Sequence, residues 1–196
     1  MHTRFHLLTA TVLLSAFFLF AGCSVNVKKN DSGDDKNVDI DTPFGGIHVS
    51  KGADVRDTGL PVYPGARPKQ KSDSGGDEKS ANVNISTSAF GLKVVALDYE
   101  TDDAPSKVIA YYKDQLKKYG SVLECHTQAK HYDYRSTNPD KGDSEQLKCE
   151  GDNNGNTTEL KVGTKSNQHV VAIDPQSKGS DFALVYVRMR GKEGTI

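Results

Sequence analysis

Residues 102–120 carry the clearest periodic element of the chain, and it sets the frame for the rest. Val108, Ile109, Tyr112, Leu116 and Tyr119 recur at helical spacing on one face, while Lys107, Lys113, Asp114, Lys117 and Lys118 fall largely elsewhere. Asp102 or Asp103 is expected to cap the start, Pro105 fits the first turn, and Gly120 fits the end. The lysines of the last turn suit the negative end of the helix dipole. Tyr111, Tyr112 and Tyr119 are read as a half-buried helix face rather than as a binding box.

Both flanks of this helix read as strands. Ahead of it, Val83, Ile85 and Thr87 alternate, and Leu92 to Tyr99 is β-rich after a break at Ser88 to Gly91. Behind it, strands are predicted at Ser121–Thr127, Gln146–Glu150, Thr158–Val162, His169–Ile173 and Phe182–Met189, with Asn154-Gly155 as a hairpin turn between the second and third of these. Strand, strand, helix, then several strands predicts an α+β fold, an antiparallel β-sheet with one main helix packed on a face. Residues 38–58 form a short β lead-in, in which Val38, Ile40 and Thr42 alternate before Pro43-Phe44-Gly45-Gly46 and Ile47 and Val49 after it. An isolated hairpin is marginal, so this one must dock on something. Gly45-Gly46 has no Gly-Lys-Ser/Thr at the offset of a phosphate loop, and a turn is the simpler reading. The main domain is placed at 59–196, with mobile loops near 67–81 and 128–145.

The N-terminus gives an address. Arg4 precedes an apolar run from Leu7 to Phe20. That run is shorter than the roughly 20 residues a bilayer core requires, and it has the length of a signal-peptide core. It ends at Leu19-Phe20-Ala21-Gly22-Cys23, which resembles a bacterial lipobox. Phe20 stands where the pattern usually has Leu, with Leu19 one place earlier. The resemblance implies removal of residues 1–22, lipidation of Cys23 and anchoring through several acyl chains, which hold a protein far better than one. Ser24 stands where an Asp would imply retention at the inner membrane, so the resemblance points to the outer membrane, facing the periplasm. Residues 23–37 then read as the lipidated cysteine and a flexible, polar tether.

A second resemblance lies in the middle of the chain. Pro61-Val62-Tyr63-Pro64-Gly65-Ala66, followed by a strand and by Val108-Ile109-Ala110-Tyr111-Tyr112 with Leu116, resembles a pattern in uncharacterised bacterial secreted proteins and lipoproteins. Asp41 to Gly46 fits the same pattern. The resemblance implies an envelope domain and brings no activity, cofactor or active site.

Cys125 and Cys149 remain for the mature domain. Export places them in an oxidising compartment, where a pair is usually a disulfide. Closing that segment is expected to contribute roughly 3 kcal/mol. The loop it would fasten, Gln128 to Glu145, contains His131, Tyr132, Tyr134 and Arg135 and is the candidate interaction loop. Cys125, His126, His131 and Cys149 match no strong zinc spacing, and adjacent residues of a strand point to opposite faces. No metal or other cofactor is therefore expected.

No G-x-S-x-G, H-E-x-x-H, G-x-G-x-x-G or Walker-type loop occurs. Asp152-x-Asn154-x-Asn156 begins like a calcium loop but lacks its glycine and glutamate spacing. The formal net charge of −1 gives no field that would select nucleic acid. The expectation is a non-catalytic, lipid-anchored envelope protein with an interaction or accessory domain and another envelope protein as partner. The alternative is a small-molecule or metal-binding periplasmic domain, which would need a concave pocket between helix and sheet.

Overall fold

The computed structural model describes residues 24–29, 36–43, 45–50, 52–69, 80–128, 145–151 and 153–191. The expected signal peptide (residues 1–22), Cys23, most of the 67–81 loop and the loop residues His131, Tyr132, Tyr134 and Arg135 lie outside the described residues.

Two long strands form the spine. β6 (Gly91–Thr101) and β10 (Ser180–Arg190) pair antiparallel along their whole length. In both, alternate residues point to one side: Val95, Leu97 and Tyr99 in β6, Phe182 and Leu184 in β10, all buried. β9 (Asn167–Pro175), β8 (Thr157–Thr164) and β7 (Leu123–Thr127) continue the sheet beyond β10. On the other side of β6 come β5 (Ser80–Thr87), β3 (Gly45–Ser50), β2 (Lys36–Thr42) and β1 (Ser24–Lys29). The two-residue strand β4 (Arg67–Pro68) pairs with Glu100 and Tyr99 of β6. All ten strands among the described residues belong to one antiparallel sheet.

Among the described residues one α-helix, α1 (Pro105–Leu116), packs across β8 and β9. Val108, Tyr112 and Leu116 leave no surface to solvent, and they meet Leu160, Val162, Val171 and Ile173 of the sheet in the core. This is the helix-on-antiparallel-sheet arrangement expected from the sequence. A 3₁₀ turn (Lys117–Tyr119) follows, and the Gly120 N–H closes on Lys117 O.

The start of the helix differs from expectation. Neither Asp102 nor Asp103 caps it; the N-cap is Ala104, with no side-chain bond. Pro105 removes one of the orphan donors that a cap would have served. Asp103 is engaged elsewhere, accepting from the Tyr63 hydroxyl at 2.9 Å and from Lys107 Nζ at 2.7 Å.

Three further segments differ. The predicted Gln146–Glu150 strand and its Asn154-Gly155 hairpin do not form: Gln146 makes one bridge to Thr164, and β8 takes β7 as its partner instead. The Gly155 N–H donates to His126 O and the His126 N–H to Asn153 Oδ1, so residues 153–155 lie against β7. Ser24–Lys29, assigned to the tether in the sequence, pair with Lys36–Asp41, aligning Val25 with Ile40 and Val27 with Val38. At the rims of the 67–81 loop, Arg67-Pro68 and Ser80-Ala81 belong to strands because β6 offers them a pairing edge. The lead-in hairpin docks as it must: β2 and β3 pair with each other, and β3 pairs with β5.

Candidate interaction face

The Pro61–Ala66 segment and the helix hold each other. Tyr112, Tyr111 and Tyr119 donate their hydroxyls to the carbonyls of Pro61, Val62 and Gly59, at 3.2, 3.5 and 2.6 Å. Tyr63 stands edge-on to Tyr111 and Phe182. Burial pushes the Tyr63 hydroxyl above the usual tyrosine range, and the Asp103 carboxylate beside it adds to the effect. Lys107, then Tyr63, hold the Asp103 carboxyl below the usual carboxylate range. The Pro61–Ala66 segment is thus, in this chain, a packing device. The tyrosines anchor the chain entering the domain to the helix.

His169 is built in similarly. Its ring stacks between Tyr119 and Tyr186, with centroids 3.8 and 4.9 Å away, and its Nδ1 meets Thr58 O at 2.9 Å. Burial lowers its pKa below the usual histidine value. An Nδ1–H donating to Thr58 O is the arrangement these contacts describe.

Cys125 and Cys149 form a disulfide, with Cα atoms 5.4 Å apart. Cys125 is fully buried on β7, whereas Cys149 lies in a segment without strand structure. The bond therefore ties the 145–150 segment to the outer strand of the sheet, and it removes both sulfurs from the metal alternative. His126 is exposed beside it. Among the described residues no group of three His, Cys, Asp or Glu side chains converges as a metal site would require.

Two open concavities among the described residues have no residue of α1 in their lining. One of about 420 Å³ is bounded by Ala53, Val55, Pro68, Leu97 and Tyr99. Another of about 250 Å³ is bounded by Asp39, Asp41, His48, Asn84 and Ser86, where His48 Nδ1 and Asp39 are in contact. Neither is lined by Tyr111 or Tyr112, because Val108, Tyr112 and Leu116 fill the space between helix and sheet.

The unusual surface is the back of the sheet. Strand register sets two apolar rows across it, opposite to the helix. Val187, Val94, Val83, Val49 and Val38 align in one, and Met189, Leu92, Ile85, Ile47 and Ile40 in the next. All are half-buried except Ile47, which is exposed. The other face of the same strands is polar, with Asp39, His48, Asn84, Lys93 and Arg188 in one row. Five strands about 4.8 Å apart and two rows give an apolar footprint on the order of 300 Å², the size of the largest apolar patches on ordinary monomers, which often serve as contacts. β1 also ends the sheet with one backbone edge not used by any described strand.

The alternation of Val38/Ile40, Ile47/Val49 and Val83/Ile85 is visible in the sequence. Their alignment into continuous rows is not, because it depends on long-range register. Compared with known proteins, the chain matches no family model, no curated protein and no solved structure.

Proposed function

We propose that this protein is a membrane-anchored lipoprotein of the cell envelope, cleaved before Cys23 and lipidated there, facing the periplasm from the outer membrane. Its domain acts without catalysis, as an interaction or accessory module for another envelope protein. The observation that carries the docking role is the two-row apolar face formed by β2, β3, β5, β6 and β10, backed by a polar face. A sheet that buried its apolar side only for stability would need a layer over it, and among the described residues the helix lies on the opposite side. The Cys125–Cys149 disulfide fits an exported chain, and the apolar run ending at Cys23 supports the anchor.

The deciding measurement is the intact mass of the protein taken from its native membrane, with and without reduction. The reading requires a chain starting at Cys23 with added acyl mass, and a two-proton gain on reduction. A photo-crosslinking residue at Val83, on the apolar face, should yield one defined adduct in the intact envelope. The same residue at Asn84, on the polar face, should not. Equal labelling from both positions would remove the docking role.

A further inference from the structure

Among the described residues the exposed large apolar side chains are Ile47 and Phe90, each 39% accessible. Both lie at the end of the sheet where the chain arrives from Cys23. Ser24 is paired with Asp41, Asp41 with Gly46, Gly46 with Ser86, and Ser86 with Gly91. Ile47 follows Gly46 in β3. Phe90 precedes Gly91 in the β5–β6 turn, which is closed by Thr87 N–H to Phe90 O at 2.7 Å. The opposite end of the spine differs: its β9–β10 turn exposes Gln176, Ser177 and Lys178.

The spacing from the anchor is the decisive quantity. Ser24, the residue after Cys23, is already part of β1, so one peptide unit of about 3.8 Å separates them. A lipid on Cys23 would hold this corner of the sheet at the headgroup boundary, the depth at which apolar side chains of peripheral proteins settle, about 5–10 Å in. Phe90 closes the β5–β6 turn at the rim of the sheet, just beyond the last paired residues Ser86 and Gly91. An exposed apolar rim beside the anchored corner suits insertion into a fluid interface better than face-to-face packing with a second copy.

We propose that the domain stands on the bilayer by this end of the sheet, with Phe90 and Ile47 entering the boundary between headgroups and acyl chains of the membrane that holds the lipid. The inference rests on the lipid anchor proposed above and adds an orientation to it. The row of Val38, Val49, Val83, Val94 and Val187, farther from that end, stays available to a protein partner.

The chain contains no Trp, so a single introduced Trp reports depth without background. Full-length lipidated protein carrying Phe90→Trp, Ile47→Trp or Ser177→Trp would be placed in phosphatidylethanolamine–phosphatidylglycerol vesicles, with and without brominated acyl chains. Loss of most emission, with a blue shift, is expected at positions 90 and 47, and no loss at 177. Equal emission with and without bromine at 90 and 47, in protein whose mass shows the lipid, overturns the orientation and leaves the anchor standing. Quenching at all three sites overturns it in favour of a domain lying flat. A concentration-dependent blue shift at 90 without quenching assigns this end to a second copy, and also overturns it. Protein lacking the lipid by mass removes the anchor and the orientation together.

Discussion

The hydroxyl of Tyr112 donates to the carbonyl oxygen of Pro61 over 3.2 Å, from a ring with no exposure to solvent. The bond joins the middle of the helix to the segment that enters the domain 51 residues earlier. Burial holds the hydroxyl far above the ordinary tyrosine range, so it stays protonated and donating at any working pH. Removing only the hydroxyl, in Tyr112→Phe, leaves the Pro61 carbonyl short of a partner and should cost about 1 kcal/mol. Removing the ring, in Tyr112→Ala, empties the space between Val108, Leu116 and Phe182 and should cost about 3–5 kcal/mol. Urea unfolding of the two variants checks the ratio; equal losses would mean that the ring contributes nothing by packing.

His169 gives the domain a pH dependence of definite sign. Its pKa is lowered in the folded protein, first by burial, which outweighs the Thr58 hydrogen bond, and with Lys118 adding repulsion. The unfolded chain therefore binds a proton that the native state refuses. The stability this group supports is complete above the unfolded histidine pKa of about 6.5. It falls as pH drops below that value toward the folded pKa, and then levels off. Asp54, Asp103 and Glu145 also have lowered pKa values, but their losses begin only in the acidic carboxylate range. Unfolding midpoints at pH 8 and pH 5 should thus differ in the wild type, and differ less in His169→Asn, whose amide can still donate to Thr58.

The disulfide fixes what hydrogen bonding alone holds weakly. Cys125 and Cys149 are separated by 24 residues, and opening that loop should remove roughly 3 kcal/mol on the chain-entropy model. The loss should centre on β7 and the 145–150 segment, whose other ties include the Gln146–Thr164 bridge, Lys165 N–H donating to Glu145 O, and Glu145 accepting from the Ser166 N–H and hydroxyl. Hydrogen exchange with and without reductant should show amides of Leu123–Thr127 losing protection before those of β6 and β10. Uniform loss across the sheet would make the bond a global staple rather than a local one.

Local signals were readable in this sequence wherever the structure obeys them. The helix was legible because Val108, Tyr112 and Leu116 repeat at its period, and the β5–β6 break because Ser88 to Gly91 separates an alternating run from a β-rich one. Asn154-Gly155 misled because its hairpin signal is short-range, whereas the backbone of His126 and the side chain of Asn153 claim the segment from far away in the chain. The capping expectation failed for a related reason: Tyr63, some 40 residues earlier, takes the carboxylate of Asp103. The apolar face was half legible, its alternation visible strand by strand. Its continuity depends on β6 taking β10 as a neighbour across the whole second half of the chain. The interaction loop chosen from the sequence, around His131, lies outside the described residues.

Gly155 tests the altered course of the chain beside β7. A Cβ built there would overlap the carbonyl oxygen of Thr127, and backbone offers no flexible end to swing aside. A hairpin turn at Asn154-Gly155 would leave that position open, so the two arrangements make opposite demands on it. Gly155→Ala should therefore destabilise by about 1–3 kcal/mol, the range for overpacking a close contact. Gly151→Ala gives the contrast, since a Cβ there meets nothing within 4 Å and the cost is confined to its left-handed backbone, φ 69°. Thermal midpoints of the two variants decide the matter. A larger loss at 155 supports the packing of residues 153–155 on β7, while a neutral Gly155→Ala would return the segment to a free turn.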